Sequence, residues 1–323
     1  MNGQFPSAPE INITCAGVLK LLQKLKPNKA TGPDNIRPKI LKELAAEIAP
    51  ILTIIFRRSL ETGEVPPDWR SANVIPVYKK GDRYKAENYR PISLTCICCK
   101  LMEHIITSHI MGHADRNNIL YPLQHGFRSK RSCETQLIEF IDETSNNMAS
   151  GKQTDVLIMD FSKAFDKVSH SLLVHKLEHY GIRGKTNNWI KNVLHDRSQT
   201  VVVDGVTSDY ISVDSGVQGT VLGPSLFLFL FYINDMPQGL KSTVRLFADD
   251  TIAYLTITSE NDALAFQTDL NKLGIWKKKW KMEFHPGKYN VLTISRKQNP
   301  IKYNYSLHGH TLESVESANR KRL

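Results

Sequence analysis

Apolar residues recur at helical spacing in several stretches of the chain. From Ile40 to Leu60 they recur every three or four residues, which predicts a helix that ends at Gly63. Pro50 lies inside this pattern, and we expect it to kink the helix or divide it in two. Similar spacing predicts further helices over residues 101–111, 137–148, 172–180 and 224–233.

Shorter apolar runs predict strands between these helices. Val156–Met159 is continuous, as expected of a buried strand, and it is followed directly by Asp160. Two further runs flank Phe247-Ala248-Asp249-Asp250, which predicts a strand, a turn and a second strand. The turn residues Asp204-Gly205 predict a hairpin between two alternating segments. Residues 72–78 predict another strand. The sequence therefore predicts a mixed α/β fold.

The charge balance adds a possible partner class to this picture. The formal net charge is +10, and apolar residues make up 41% of the chain, an ordinary globular share. An excess of cations favours a polyanionic partner, with solubility as the alternative explanation. Three lysines lie between Trp276 and Trp280 and could line a nucleic-acid surface. The two tryptophans are spaced i, i+4, however, and this spacing favours a helix that buries both of them on one face.

The cysteines and the apolar runs bear on the compartment. The five cysteines show no disulfide framework and no zinc-finger spacing, so we interpret them as buried, reduced thiols of an intracellular protein. Residues 1–10 do not have the pattern of a signal peptide. The most apolar run, Leu226–Ile233, is too short to span a bilayer. We expect no membrane partner.

Three aspartates are the strongest candidates for chemistry. Asp249 and Asp250 lie on a tight turn between apolar strands, and Asp160 ends another buried strand. Adjacent carboxylates repel, and a divalent cation removes that cost. Three such groups at the strand ends of one sheet could hold two Mg²⁺ ions about 3.5–4 Å apart, as in in-line phosphoryl transfer. A polar hairpin turn is the alternative for Asp249-Asp250.

Eight motifs in a fixed order support the chemical interpretation. The first four are Asn28-Lys29-Ala30-Thr31-Gly32-Pro33-Asp34, Lys79-Lys80-Gly81-Asp82, Asn88-Tyr89-Arg90-Pro91-Ile92-Ser93-Leu94 and Gln124-His125-Gly126-Phe127-Arg128. The others are Asp160-Phe161-Ser162-Lys163-Ala164-Phe165-Asp166, Ser215-Gly216-Val217-Gln218-Gly219 with Leu222-Gly223-Pro224, Phe247-Ala248-Asp249-Asp250 and Phe284-His285-Pro286-Gly287-Lys288. Together they resemble the finger and palm motifs of reverse transcriptases from non-LTR retrotransposons, of the jockey-like kind.

This resemblance implies catalytic roles for Asp160, Asp249, Asp250 and Lys288, and a substrate-binding role for Phe165. Asp160 and Asp249 would be the main ligands of two Mg²⁺ ions, with Mn²⁺ able to substitute, and Asp250 a weaker ligand. Phe165 matches the bulky gate that excludes a 2′-OH, with core packing at a helix start as the alternative. Lys288 matches the lysine that protonates the leaving pyrophosphate, with an ordinary surface lysine as the alternative.

It also implies a substrate-binding set. Gln218 and Gly219 match the segment beneath the templating base and the nascent pair. Lys79 and Arg90 match the finger cations that grip the triphosphate, although Lys80 competes with Lys79, which could also lie in a solvated turn. The implied partners are an RNA template, a DNA primer and deoxynucleoside triphosphates.

The resemblance further implies a right-hand polymerase architecture. We expect a tail at residues 1–10, helical fingers over 11–150, an antiparallel-sheet palm over 151–300 and a truncated segment at 301–323. The reverse transcriptase domain would span about 60–310, with the thumb missing. His285 and Tyr289 depart from the family's usual Asn and Cys.

Two rival functions stand beside an active RNA-directed DNA polymerase. One is a catalytically dead, nucleic-acid-binding remnant of such an element, which a missing thumb favours and the intact carboxylates oppose. The other is a maturase-like relative acting in intron splicing, which would need a basic region after the palm.

Overall fold

A computed structural model describes residues 5–213, 227–285, 289–307 and 309–315. Gln218, Gly219 and Lys288 therefore lie outside the described residues. The helices are α1 Cys15–Gln23, α2 Pro38–Glu43, α3 Ala45–Thr62, α4 Ile97–Arg116, α5 Cys133–Ala149, α6 His170–His179, α7 Gly184–Leu194, α8 Phe227–Ile233 and α9 Glu260–Lys279. The strands are β1 Ser71–Tyr78, β2 Tyr89–Thr95, β3 Gln153–Asp160, β4 Arg197–Val203, β5 Val206–Thr207, β6 Ile211–Val213, β7 Thr243–Phe247, β8 Asp250–Ile257, β9 Asn290–Ile294, β10 Ser306–Leu307, β11 His310–Thr311 and β12 Glu313–Val315. This mixture confirms the α/β class.

Internal contacts divide the chain into two compact units, each built from two separate segments. The first unit combines Met1–Ile119 with Val168–Leu228, and the second combines Leu120–Lys167 with Phe229–Leu323. This division differs from the sequential one expected at residue 150, because β1 pairs with the distant β4 and α5 packs beside β3.

The first unit packs helices beside a mixed sheet. Its strand order is β2-β1-β4-β5, with β6 also paired to β4. β1 runs antiparallel to β2 and parallel to β4. The Trp189 indole N–H donates to Ser59 Oγ at 2.9 Å, which satisfies a buried donor where α7 meets α3. The expected hairpin is confirmed, since Asp204 (φ 50°) and Gly205 (φ 82°) form the turn between β4 and β5.

The helix around Pro50 differs in detail from the prediction. α3 runs continuously through Pro50, and the break between α2 and α3 lies at Leu44, six residues earlier. Pro50 lacks the N–H that would donate to the Ala46 carbonyl, so α3 loses one hydrogen bond there and still continues to Thr62. Gly63, at φ 74°, ends α3 as predicted, with its N–H donating to the Ser59 carbonyl at 2.9 Å.

The second unit is built on a sheet with strand order β12-β9-β3-β8-β7. β3 lies at its centre, antiparallel to both β8 and β9, and is buried from Gln153 to Met159. Phe140 of α5 packs onto one face of this sheet, beside Val156, Ile158 and Tyr254. Ser132 and Thr135 cap α5 by donating backbone N–H groups to each other's side-chain oxygens.

The cysteine interpretation is partly wrong. Cys96, Cys98 and Cys99 are buried free thiols, but Cys15 and Cys133 are exposed. Both exposed cysteines occupy the first position of a helix, α1 and α5, where side chains commonly face solvent. The two tryptophans of the lysine-rich segment are buried, at 9% and 3% exposure, as their spacing predicted.

Within the described residues, none of the helices combines the length and apolar character that crossing a membrane requires.

The packing of α5 on the sheet yields a stability prediction. Phe140→Ala should leave a cavity against β3 and cost about 3–5 kcal/mol. Ile141→Ala is the matched control, since Ile141 is 50% exposed on the same helix and Phe140 only 4%. Hydrogen exchange of the β3 amides should accelerate strongly in the first variant and little in the second. Equal exchange in both variants would contradict this account of the core.

Candidate functional site

Two candidate aspartates lie at the turn between β7 and β8. Phe247 pairs with Asp250 across the hairpin, so Ala248 and Asp249 form the turn itself. Ala248 is buried and adopts φ 57°, a left-handed conformation that is unusual for a residue with a side chain. Asp249 is half-buried and Asp250 is exposed. The predicted strand, turn and strand are therefore confirmed.

The third aspartate lies on β3, the strand that pairs with β8 of this hairpin. In the antiparallel register of β3 and β8, Asp160 pairs with Asp250. Like charges placed directly opposite each other on neighbouring strands are destabilising. The structure thus brings Asp160 beside the Asp249-Asp250 turn, as the sequence predicted, and concentrates negative charge at one end of the central strands.

A segment from late in the chain is fixed beside Asp160. The His285 N–H donates to the Asp160 carbonyl at 2.8 Å, and the Ser162 N–H donates to the Glu283 carbonyl at 2.7 Å. Phe161 and Phe284 stack with their ring centroids 4.6 Å apart. These contacts continue the sheet past Asp160 and carry the chain toward Lys288, which is outside the described residues.

The candidate gate residue follows Asp160 in a series of turns. Phe165 is half-buried, and α6 begins only at His170, so this phenylalanine does not lie at a helix start. Burial raises the pKa of the neighbouring Asp166 carboxyl above its ordinary value, and the nearby Lys163 ammonium opposes that rise. Lys167 closes the segment with an ion pair to Glu283.

The segment around Gln124 was grouped with the finger motifs in the sequence, but it lies in the second unit. The Leu246 N–H donates to the Leu123 carbonyl at 3.0 Å, and the His125 N–H donates to the Leu246 carbonyl at 2.8 Å. A Cβ atom at Gly126 would lie only 2.3 Å from the Ala248 nitrogen. Glycine is therefore required there, because two backbones meet. This close approach is the physical reason for the glycine in that motif.

A network of charged hydrogen bonds joins β7 to α5 and β8. Arg245 is only 5% exposed, and its guanidinium donates to Glu139 at 2.6 Å, to Glu143 at 3.2 Å and to the Tyr254 hydroxyl at 2.9 Å. Burial and the hydrogen bond to Glu143 raise the pKa of Tyr254 above its ordinary value. Sequence reasoning missed this network, since its members look like solvated charges of a helix and a strand.

The candidate triphosphate-binding cations lie in the first unit. Arg90 pairs with Val77 in the register of β1 and β2, and the Lys79 N–H donates to the Asn88 carbonyl at 2.9 Å. Lys79, Lys80 and Arg90 are all exposed. The three cations lie at the end of the hairpin where the loop joins β1 to β2, and this placement does not decide between Lys79 and Lys80.

The three aspartates carry oxygen donors of the kind that Mg²⁺ prefers. In the parts of the chain that the structure describes, no three His, Cys, Asp or Glu side chains gather closely enough to hold a metal ion. Among the described residues, the three carboxylates therefore do not all converge on one metal position as the sequence led us to expect. Mg²⁺ usually takes only one or two carboxylates and completes its shell with water and substrate phosphates. Asp160 and Asp250, opposite each other beside Asp249, fit that kind of open, shared site.

The facing carboxylates predict how charge removal affects stability. Without metal, Asp160→Asn should stabilise the protein by about 0.2–1 kcal/mol, because it removes a like-charge pair across two strands. Mg²⁺ should raise the melting temperature of the unsubstituted chain and raise that of the variant less. Asp142→Asn, which changes an exposed carboxylate on α5, should leave unchanged both the stability without metal and the rise in melting temperature with Mg²⁺. If Mg²⁺ raised the melting temperature of the unsubstituted chain and of Asp160→Asn equally, Asp160 would not be a Mg²⁺ ligand.

Known proteins resemble this chain over most of its length. The family model described as reverse transcriptase (RNA-dependent DNA polymerase) matches residues 77–304. The RNA-directed DNA polymerase from mobile element jockey of Drosophila melanogaster is 27% identical over 305 residues, covering 90% of this chain and 33% of that protein. Its Drosophila funebris counterpart is 29% identical over 322 residues, covering 94% of this chain and 34% of that protein.

A further relative shows the same coverage. The probable RNA-directed DNA polymerase from transposon X-element of Drosophila melanogaster is 27% identical over 302 residues, covering 88% of this chain and 32% of that protein. The chain spans about one third of the length of these curated relatives. Because the family model covers well over half of the chain, the resemblance seen in the motifs is confirmed, and the chain belongs to the reverse transcriptase family.

Proposed function

We propose that this chain carries the fingers and palm of an RNA-directed DNA polymerase from a non-LTR retrotransposon. A primer 3′-OH attacks the α-phosphate of a deoxynucleoside triphosphate, a new phosphodiester bond forms, and pyrophosphate leaves. The observation that carries the proposal is the register that sets Asp160 opposite Asp250 at the β7–β8 turn. The curated relatives named above support it, since their names describe RNA-directed DNA polymerases from a mobile element.

In this proposal the second unit supplies the palm. Asp160 and Asp249 would hold two Mg²⁺ ions, with Mn²⁺ able to substitute, and Asp250 would contribute more weakly. When bound, such ions neutralise charge on the reacting phosphates and lower the pKa of a coordinated hydroxyl. The chain's own contribution is to hold these carboxylates in a fixed place, because strand pairing on β3 and β8 sets their backbones before substrate arrives.

Other residues position the substrates. Phe165 would lie against the incoming sugar and exclude a 2′-OH by its bulk. Lys79 and Arg90 would bind the triphosphate oxygens, and the planar guanidinium of Arg90 suits that task. The net charge of +10 supports an interaction with an RNA template and a DNA primer.

Two roles fall on residues outside the described ranges. Gln218 and Gly219 would lie beneath the templating base and the nascent pair. Lys288 would donate a proton to the leaving pyrophosphate. The support for Lys288 is that Phe284 and His285, just before it, are already fixed beside Asp160.

The first test removes one carboxylate charge. Asp249→Asn keeps the size of the side chain, and primer extension on an RNA template should fall by at least about a hundredfold, or about 2.7 kcal/mol of activation free energy. Folding and RNA binding should persist. Asp142→Asn is the matched control and should extend primers normally. Unchanged extension by Asp249→Asn would reject the two-metal assignment, and no extension by the unsubstituted chain would favour the inactive remnant.

The second test concerns sugar selection. Phe165→Val should admit ribonucleotides more readily, and the preference for deoxyribonucleotides should drop by about tenfold or more, because the steric clash is relieved. Phe165→Tyr retains the bulk and should retain the preference. The measurement is the ratio of kcat/KM for matched deoxyribonucleotide and ribonucleotide substrates. A ratio that does not change in Phe165→Val would mean that Phe165 only packs in the core.

A further inference from the structure

Gln124 carries its side chain into the β7–β8 turn. The residue is 2% exposed, and its Oε1 accepts the Gly126 N–H at 2.8 Å and the Ala248 N–H at 3.3 Å. Two N–H donors facing one atom determine the orientation of the amide, because only the oxygen can accept them. The Nε2 group is buried without a hydrogen-bond partner among the described residues. The Gln124 side chain is therefore oriented to accept hydrogen bonds at the turn, although this orientation leaves its Nε2 group without a partner among the described residues.

Gln124 contacts Ala248, the residue that leads into the two carboxylates of the turn. Ala248 immediately precedes Asp249, is 6% exposed and adopts φ 57°. A non-glycine residue keeps this conformation only where its surroundings determine it. The Ala248 N–H sits at the start of the turn, so a fixed acceptor there restricts rotation of the peptide between Phe247 and Ala248, from which the chain continues into Asp249.

The backbone on both sides of Gln124 is fixed by hydrogen bonds to β7. Its neighbours Leu123 and His125 both hydrogen-bond to the backbone of Leu246. Further upstream, the Tyr121 N–H donates to Asn234 Oδ1 at 2.7 Å.

Downstream of Gln124, two more contacts fix the segment. His125 Nδ1 lies 3.0 Å from Thr135 Oγ1 at the start of α5. The Arg128 guanidinium donates to the Tyr121 carbonyl at 3.1 Å, which closes the loop on itself. The amide oxygen of Gln124 is thus a rigid reference point placed against the turn.

We propose that Gln124 is a positioning residue for nucleotidyl transfer, fixing the turn that bears Asp249 and Asp250 through a hydrogen bond to the Ala248 N–H. In this role it acts only through the turn. The inference rests on the proposed polymerase function, but the geometry predicts effects that can be measured without catalysis.

The test compares four variants by hydrogen exchange resolved to the Ala248 amide. Gln124→Met removes the acceptor and keeps the volume, and Gln124→Asn keeps an amide that is too short to reach. Gln124→Glu keeps an acceptor oxygen and removes the amino group that lacks a partner. Gln267→Met is the matched control: Gln267 is 9% exposed and exchanges two hydrogen bonds with the Ser306 backbone, away from the turn.

Exchange at Ala248 should accelerate at least tenfold in the Met and Asn variants of Gln124. It should stay near the unsubstituted rate in Gln124→Glu and Gln267→Met. Exchange in β3 reports global folding, and if Gln124→Met fails to fold, Gln124→Asn decides the question alone. Unchanged exchange at Ala248 in a folded Gln124→Met or Gln124→Asn would overturn the proposal.

Two further measurements separate this proposal from the proposed function. Calorimetric titration with Mn²⁺ should show weaker binding by at least threefold in Gln124→Met and unchanged binding in Gln267→Met. In primer extension, Gln124→Met should lower kcat about tenfold or more and leave the KM for the deoxynucleotide nearly unchanged. If the unsubstituted chain does not extend primers, the polymerase function fails, while the exchange and Mn²⁺ results still decide the role of Gln124. Mn²⁺ binding that is the same in the unsubstituted chain, Gln124→Met and Gln267→Met would count against the positioning role.

Discussion

The structure of the second unit depends on holding like charges together at one end of its central strands. Asp160 and Asp250 face each other across β3 and β8, and Asp249 is next to them on the turn. Such an arrangement repels itself, so it persists only if the backbones that carry it cannot relax apart. Two devices prevent that relaxation. β3 is paired on both sides and buried along nearly its whole length, and the backbone of His285 is bonded to that of Asp160.

The same constraint explains why so many polar groups are buried around this sheet. Arg245 on β7 is matched by two glutamates of α5, and Asp155 on β3 accepts hydrogen bonds from Gln153, Thr293 and Tyr305. Buried ion pairs are weak evidence for stability, but each has strict geometric requirements. Slipping β7 or β3 by one residue would leave a buried charge without its partner. These networks therefore fix strand register, and register is what sets the aspartates opposite each other.

The sequence was informative where a feature is local. The apolar run of β3 ends in Asp160, and the two runs around Asp249-Asp250 are contiguous, so pattern alone located the carboxylates. Gly63 likewise marked the end of α3 through its left-handed conformation. The sequence was less informative for α4, which extends well beyond residues 101–111. Glu103 and His113 on that helix are fully buried, so polar residues do not mark a solvent face.

Long-range pairing could not be predicted from the pattern. Gln124 and Gly126 read as loop residues, and only the folded chain shows that their segment pairs with β7 more than a hundred residues later. The interleaving of the two units has the same origin, since β1 meets β4 across a comparable separation. The resemblance to a family supplied motif order, and motif order does not say which strand the Gln124 segment joins.

The two kinds of charge that the proposed reaction would use are built in different ways. The carboxylates belong to paired strands and a tight turn, so little conformational freedom is left to lose when substrate binds. Lys79 and Arg90 are exposed on a hairpin, and long cationic side chains lose about 1.5–2 kcal/mol of rotamer freedom when they are ordered. Ordering those cations would draw on the binding energy of the triphosphate, whereas the carboxylates are already in place. In the proposed polymerase, the cations would therefore govern substrate affinity, and the rigidity of the β7–β8 turn would govern the chemical step.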